Sequence, residues 1–436
     1  MKVFTTIMLG LGNQNLKIIK EIIMKHLFNE YVQSLETYIM FQIKQETMRL
    51  KPELEAKNRA PIALDMGAPV EAPPQFVIDT LKEILDEPGI HTYSSPKGEM
   101  FYLEAISKRM KNRFNVDLDP KTEIFSLIGS KEGIANIIRE LINPTTIEEE
   151  KEIILIPDPG YASYKEMIKV SGGKAYSLPM TQENNYMPNL EKAMEDFNKA
   201  GLNEKKIKAL VINYPNNPLG AVTTREYLKE VVDFCKKRNI LLISDAAYAD
   251  MYFIGQDKAP SVFEIEGAKD VAVEFHSFSK PYAMTGWRLG WVCGNAEVIS
   301  MFGKLKSTID TGIFKALQKA AAIVLNSKEG DEYIEKAVLG FEKKQKILVQ
   351  GLKELGWDMD NMNIPQATFY LWLPIPPRYK TSKEFTDDVL KTSGVVFVPG
   401  NAFGEYGEGF FRISIVSTEE QLYEVIKRMK DDGFTF

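Results

Sequence analysis

Val271-Ala272-Val273-Glu274-Phe275-His276-Ser277-Phe278-Ser279-Lys280 places a lysine beside two hydroxyls just past an apolar run, and Gly286-Trp287-Arg288-Leu289-Gly290 follows. Val271 to Phe275 has the composition of a buried strand. Hydroxyls with an arginine suit a phosphate dianion, because a guanidinium pairs bidentately with phosphate oxygens. A lysine held next to such a site can condense with an aldehyde. Pyridoxal 5'-phosphate carries both groups. Lysines are usually solvated surface residues, and a lone Ser-x-Ser-Lys is read that way first. The arginine between glycines raises the cofactor reading, and the remaining motifs have to agree with it.

Working outward, the chain from about residue 120 alternates short apolar runs with helical patterns. The runs include Ile124-Phe125-Ser126-Leu127-Ile128, Ile153-Ile154-Leu155-Ile156-Pro157, Ala209-Leu210-Val211-Ile212-Asn213 and Ile240-Leu241-Leu242-Ile243-Ser244-Asp245. Val271 to Phe275 and Leu289 to Cys293 continue the series. Continuous apolar strands separated by helices imply an α/β fold, a mostly parallel sheet sandwiched by helices. Ligands on such sheets bind beyond the carboxyl ends of the strands. A long helix is expected over Asp331 to Leu355, followed by strands at Thr368 to Leu373, Val395 to Val398 and Phe410 to Ile415. These read as a smaller α+β unit. The expected organisation is an N-terminal arm (1–50), the first part of a small domain (51–75), a large domain (76–329) and the C-terminal small domain (330–436).

Bulk properties narrow the function classes. Hydrophobic residues make up 44% and charged residues 26% of the 436, an ordinary globular composition. The net charge of -6 argues against a nucleic-acid surface. Cys235 and Cys293 sit in apolar runs and read as buried thiols of a reducing cytoplasm. Val3 to Gly12 is apolar behind a single Lys2, the outline of a secretory signal, but Asn13-Gln14-Asn15 stands where a small-residue cleavage site would be. Leu16 to Ile23 has amphipathic helical spacing. No run approaches membrane-spanning length, and no metal-ligand motif is expected.

Polar residues collect where the strands end. Gly129-Ser130-Lys131-Glu132-Gly133 opens a helix; this is either an ordinary strand–helix turn or, with Ser277, Ser279 and Arg288, the rest of a phosphate cup. Asn216-Asn217-Pro218-Leu219-Gly220 is turn chemistry in any protein. Asp245 can cap the turn after its strand, with Tyr248 three residues on. Tyr161, in Pro157-Asp158-Pro159-Gly160-Tyr161, is either loop packing or an aromatic face for a ligand. Arg412 sits inside an apolar strand, where a cation is costly unless paired with a structural carboxylate or a ligand.

The order and separations of Lys280, Arg288, Asp245, Tyr248, Asn217 and Arg412 resemble those of the class I/II aminotransferases, the fold-type I pyridoxal phosphate enzymes. The resemblance covers nearly everything beyond the arm. It implies that Lys280 holds the cofactor, that Ser130, Lys131, Ser277, Ser279 and Arg288 hold its phosphate, and that Asn217 and Tyr248 face its ring oxygen. It further implies Asp245 at the ring nitrogen, Tyr161 on the ring face, Arg412 on the substrate α-carboxylate and Gly67 closing over that carboxylate. Tyr93, in His91-Thr92-Tyr93, matches a tyrosine that reaches the neighbouring subunit's phosphate, which implies a homodimer with shared sites. The expected reaction moves an amino group from an L-amino acid to a 2-oxo acid, 2-oxoglutarate above all, by ping-pong kinetics.

Within that family, Leu127 to Ala135, Glu274 to Ser277, Met284 to Arg288 and Pro399 to Gly404 are similar to the LL-diaminopimelate aminotransferases. In that subgroup Lys131 also reaches substrate, as does a tyrosine comparable to Tyr38. Two departures stand out. Asp65 replaces the commoner glycine before Gly67, and Ser94-Ser95-Pro96-Lys97-Gly98-Glu99 is not the usual sequence, so distal substrate contacts are not carried over. An aspartate, alanine or broad-range aminotransferase and a pyridoxal phosphate C–S β-lyase stay open. A non-enzymatic regulator of this fold would carry a DNA-binding domain, for which the first fifty residues are too short and insufficiently basic.

Overall fold

A computed structural model of the chain describes residues 27–436. The apolar stretch Val3 to Gly12 and the helical spacing of Leu16 to Ile23 lie outside the described residues. The strands are β1 (Ile62–Ala63), β2 (Ile124–Leu127), β3 (Ile153–Asp158), β4 (Lys174–Pro179), β5 (Ile207–Asn213) and β6 (Leu241–Asp245). They continue with β7 (Ala272–Ser277), β8 (Gly290–Gly294), β9 (Tyr370–Pro374), β10 (Val395–Val396), β11 (Val398–Pro399) and β12 (Phe410–Ser414).

The large sheet has the order β2-β8-β7-β6-β5-β3-β4. The pairs β3–β4, β3–β5, β5–β6 and β6–β7 are parallel, and β8 runs antiparallel to both β2 and β7. Continuous apolar runs form these strands because both faces are covered. Alternate residues feed two cores: Ile154, Ile156, Ala209 and Val211 pack on one side, and Ile153, Leu155, Leu210 and Ile212 on the other. At roughly 1.5–3 kcal/mol per fully buried aliphatic side chain, this two-sided burial is the main term favouring the sheet.

β4 did not declare itself as a continuous apolar run, and its position explains why. It pairs only with β3 at the sheet edge, and Leu178 is its one buried residue. An edge strand needs little apolar character.

The smaller part contains β11-β12-β9 and the parallel pair β1–β10. The expected long helix spans Lys328–Glu354, where Ser327 caps the start by accepting a hydrogen bond from the Gly330 N–H at 3.0 Å. The expected single strand over Val395 to Val398 is broken at the buried Phe397, so that β10 pairs with β1 while β11 pairs with β12. The helix Ile39–Ala56 runs unbroken across position 50, the expected end of the arm, and packs Leu50 and Leu54 against Leu390 and Val396. Asp158 ties the two parts together: its carboxylate accepts from the N–H groups of Glu405 and Tyr406 and from Ser177 Oγ.

Both cysteines are buried and unpaired, and burial pushes both thiols above their usual range. Among the described residues, no helix is long and apolar enough to cross a membrane. No cluster of metal-ligating side chains occurs among them either.

Candidate active site

Parallel strands deliver their last residues to one edge of the sheet. Asp158, Asn213, Asp245 and Ser277 end β3, β5, β6 and β7 there, and the reversed β8 starts there with Gly290 paired to Ser277. A cavity of about 670 Å³ opens at this edge. Every residue named from the sequence lines it except Tyr93, which is 85% exposed on the surface.

One end of the cavity is built for an anion. Gly129 has φ +109°, and a Cβ there would stand 2.3 Å from Nη2 of Arg288, so the guanidinium closes directly over the glycine turn. The helix Ser130–Leu141 begins at that turn with no side-chain cap, leaving its first N–H groups free beside Ser130. Arg288 itself holds the left-handed conformation (φ +57°), unusual for a residue with a Cβ, and donates to the Thr285 carbonyl at 2.9 Å. Among the described residues it has no carboxylate partner. Ser277 and Ser279 are buried alongside, with the Ser279 N–H donating to Ser277 Oγ at 3.1 Å.

Lys280 lies between this anion end and a buried carboxylate. Its Nζ donates to the Gly67 carbonyl and stands 5.7 Å from the centre of the Tyr248 ring. Burial pushes the amine down to about 8; Arg412 and Arg288 push the same way and Asp245 opposes them. The Asp245 carboxylate is buried, accepts from Tyr164 Oη at 2.6 Å and from the Ala247 N–H at 3.2 Å, and is held above its usual range by burial.

The other end presents a buried guanidinium. Arg412 is 2% exposed and donates from Nη1 to Asn217 Oδ1 at 2.9 Å and from Nη2 to the Asp65 carbonyl at 2.7 Å. Its guanidinium is sandwiched 4.4 Å from the ring of Tyr370 and 4.8 Å from that of Phe403. Nε is buried with no hydrogen-bond partner, and no carboxylate lies within ion-pair distance among the described residues. The structural salt bridge that would make Arg412 uninteresting is therefore missing. Because a guanidinium only donates, the Asn217 atom facing it is the oxygen, which leaves Nδ2 as a free donor.

A family model for class I and II aminotransferases matches residues 60–429. The chain belongs to that family. The aminotransferase is 38% identical to the LL-diaminopimelate aminotransferase of Halothermothrix orenii over 405 residues, 93% of this chain and 98% of that one. It is 39% identical to that of Aquifex aeolicus over 404 residues, again 93% and 98%. Among solved structures, substrate-bound BacF of Bacillus subtilis superposes with a TM-score of 0.85 at 31% identity, covering 94% of this chain and 98% of BacF.

Several residues of the aminotransferase's cavity were missed in the sequence. Met40, Lys44, Thr47 and Met48, one face of the helix Ile39–Ala56, form a wall, and their i, i+4, i+7, i+8 spacing was a legible sign. Tyr164, in the helix Ser163–Val170 that follows Tyr161, donates to Asp245 and orients it. Asp65 lines the cavity, and burial raises its carboxyl against the opposing pull of Arg412 and Lys44. Tyr370 hydrogen-bonds Tyr248, oxygen to oxygen, at 2.8 Å. Lys131 Nζ stands 5.3 Å from the Tyr38 ring and 5.8 Å from the Tyr161 ring.

The depressed Lys280 value has a kinetic consequence. Only the neutral amine attacks an aldehyde, and its fraction rises with pH up to the folded value and then levels off. If Lys280 is the amine that captures pyridoxal 5'-phosphate, capture by the cofactor-free protein should accelerate about tenfold per pH unit below about 8 and flatten above it. An unperturbed lysine peptide would continue to accelerate past pH 10. Stopped-flow absorbance against pH separates the two profiles.

Proposed function

We propose that this aminotransferase works with pyridoxal 5'-phosphate attached to Lys280, and that LL-diaminopimelate is its amino donor and 2-oxoglutarate its acceptor. The donor set supports the cofactor. A glycine turn that admits no Cβ beneath Arg288, three serines and a free helix start suit a phosphate. The buried Asp245 carboxylate suits a protonated ring nitrogen, and Asn217 Nδ2 with the Tyr248 hydroxyl suits a ring oxygen. When bound, the cofactor supplies a carbonyl carbon that captures the amino group and a ring that accepts the electron pair released at the donor's Cα.

The chain's own residues do the rest. Arg412 grips the α-carboxylate bidentately, which would also answer its orphaned Nε. Lys280 Nζ takes the proton from the donor's Cα and later returns it; a value of about 8 suits an acid–base group near neutral pH. Asp245 holds the proton on the ring nitrogen, and Tyr161 covers one ring face. Tyr93 is proposed to serve the phosphate of a second copy, which its exposure supports.

The observation that carries the reading is Arg412, a buried cation in the cavity with no carboxylate of its own. The donor is narrowed by what remains after these assignments. Asp65 has no cation within ion-pair distance among the described residues, and Lys44 and Lys131 line the same cavity. An anion and two cations beyond the α-carboxylate clamp suit a donor with a second amino-acid head, the chemistry of LL-diaminopimelate.

A donor screen with 2-oxoglutarate, including LL-diaminopimelate, aspartate, alanine and aromatic amino acids, tests this. LL-diaminopimelate should have the highest kcat/KM, and Asp65→Asn should lower its kcat/KM relative to that of aspartate about tenfold, the size of a lost charged hydrogen bond. If aspartate reacts well and LL-diaminopimelate does not, the donor assignment is wrong. Release of ammonia and pyruvate without any need for an oxo acid would make the protein a lyase.

A further inference from the structure

Tyr370 is fully buried where three parts of the site meet. Its hydroxyl lies 2.8 Å from that of Tyr248, and its ring faces the Arg412 guanidinium at 4.4 Å. The same hydroxyl is 3.1 Å from where a Cβ on Gly67 would stand, and Gly67 is the residue whose carbonyl accepts from Lys280. The backbone leading into β9 is strained to achieve this. Thr368 sits at φ +69°, an outlier for a β-branched residue. Two main-chain bonds hold it there: the Thr368 N–H donates to the Met251 carbonyl at 2.6 Å, and the Phe253 N–H to the Gln366 carbonyl at 2.8 Å. Met251 is itself bonded to the Tyr248 carbonyl. Thr368 Oγ1 then accepts from the Tyr370 N–H at 3.3 Å. The segment carrying Tyr370 is thus pinned to the segment carrying Tyr248.

We propose that Tyr370 is a positioning residue that fixes the direction of the Tyr248 hydroxyl proton. The inference rests on the cofactor reading above. Each phenol has one proton to donate. If Tyr248 donates its proton to the ring oxygen of the cofactor, the bond between the two tyrosines must run from Tyr370 to Tyr248. Each donor in such a chain strengthens the next. Tyr370 therefore makes Tyr248 a better donor, while its ring supports the plane of Arg412.

Tyr370→Phe removes the hydroxyl and keeps the ring. With Tyr248 donating more weakly, the ring oxygen is less stabilised as an anion, so the nitrogen linking Lys280 to the cofactor keeps its proton to higher pH. The pH midpoint of the visible absorption of the cofactor-loaded protein should rise by about half a unit to one unit. KM for the amino donor should stay within about twofold while kcat falls several-fold. In a Tyr248→Phe background, Tyr370→Phe should add no further shift, since the two act as one unit. An unmoved midpoint in Tyr370→Phe overturns the proposal, as does an equal shift without Tyr248. A wild-type protein that takes up no cofactor is a different failure; it sinks the cofactor reading and this inference with it.

Discussion

Lys280→Ala should abolish transamination, because it removes both the anchoring amine and a positioned acid–base group worth about 10²–10⁴-fold by itself. The visible absorption that the wild-type protein acquires with pyridoxal 5'-phosphate should disappear as well. The fold should survive. Burial disfavours the charged form of this amine, so the native state gains nothing from the ammonium near neutral pH. The sign follows from linkage: a lysine depressed to about 8 adds stability only as pH climbs from that value toward its unfolded value, and none below it. Thermal unfolding of the cofactor-free variant near pH 7 should match wild type within a few degrees. A variant that is inactive because it is unfolded would leave the chemistry unassigned, which the melting curve excludes.

Arg412→Ala should lower kcat/KM for every amino donor by about 30-fold to several thousand-fold, from the roughly 2–5 kcal/mol lost when one partner of a buried, hydrogen-bonded charge pair is truncated. Arg412→Lys should rescue little of it, because an ammonium cannot reproduce the two-pronged contact. A salt-bridge arginine would behave differently, losing melting temperature ahead of substrate affinity. Arg412 lacks a carboxylate partner among the described residues, so the loss should fall on KM and kcat/KM, with cofactor affinity unchanged. Titration of the variant with pyridoxal 5'-phosphate, beside steady-state kinetics with several donors, makes the distinction.

Much of this site could be read from the sequence because its residues sit where the local pattern is strong. Lys280 follows the wholly buried β7, whose apolar run leaves only one way to lie in a two-sided sheet. Arg412 is conspicuous because a cation within an apolar strand demands a partner. Asp245, Asn217 and Tyr161 come at strand ends, where a parallel sheet gathers its polar residues. Other parts depend on tertiary contacts that leave weaker marks. β4 is an edge strand and carries little apolar signal. The break at Phe397 is decided by two different pairing partners, β1 and β12, which no local spacing reveals. Tyr370 looks like one more aromatic in an apolar strand until the main chain at Thr368 brings it to Tyr248. The wall formed by the helix Ile39–Ala56 had the right periodicity, but which face looked inward was fixed only by packing against Leu390 and Val396.

The most direct test is chemical. The purified protein, saturated with pyridoxal 5'-phosphate, is reduced with borohydride, digested and mapped by mass spectrometry. A single phosphopyridoxyl adduct on Lys280 is the expected result. An adduct on a different lysine, or none on any, would contradict the assignment of Lys280 as the residue that holds the cofactor.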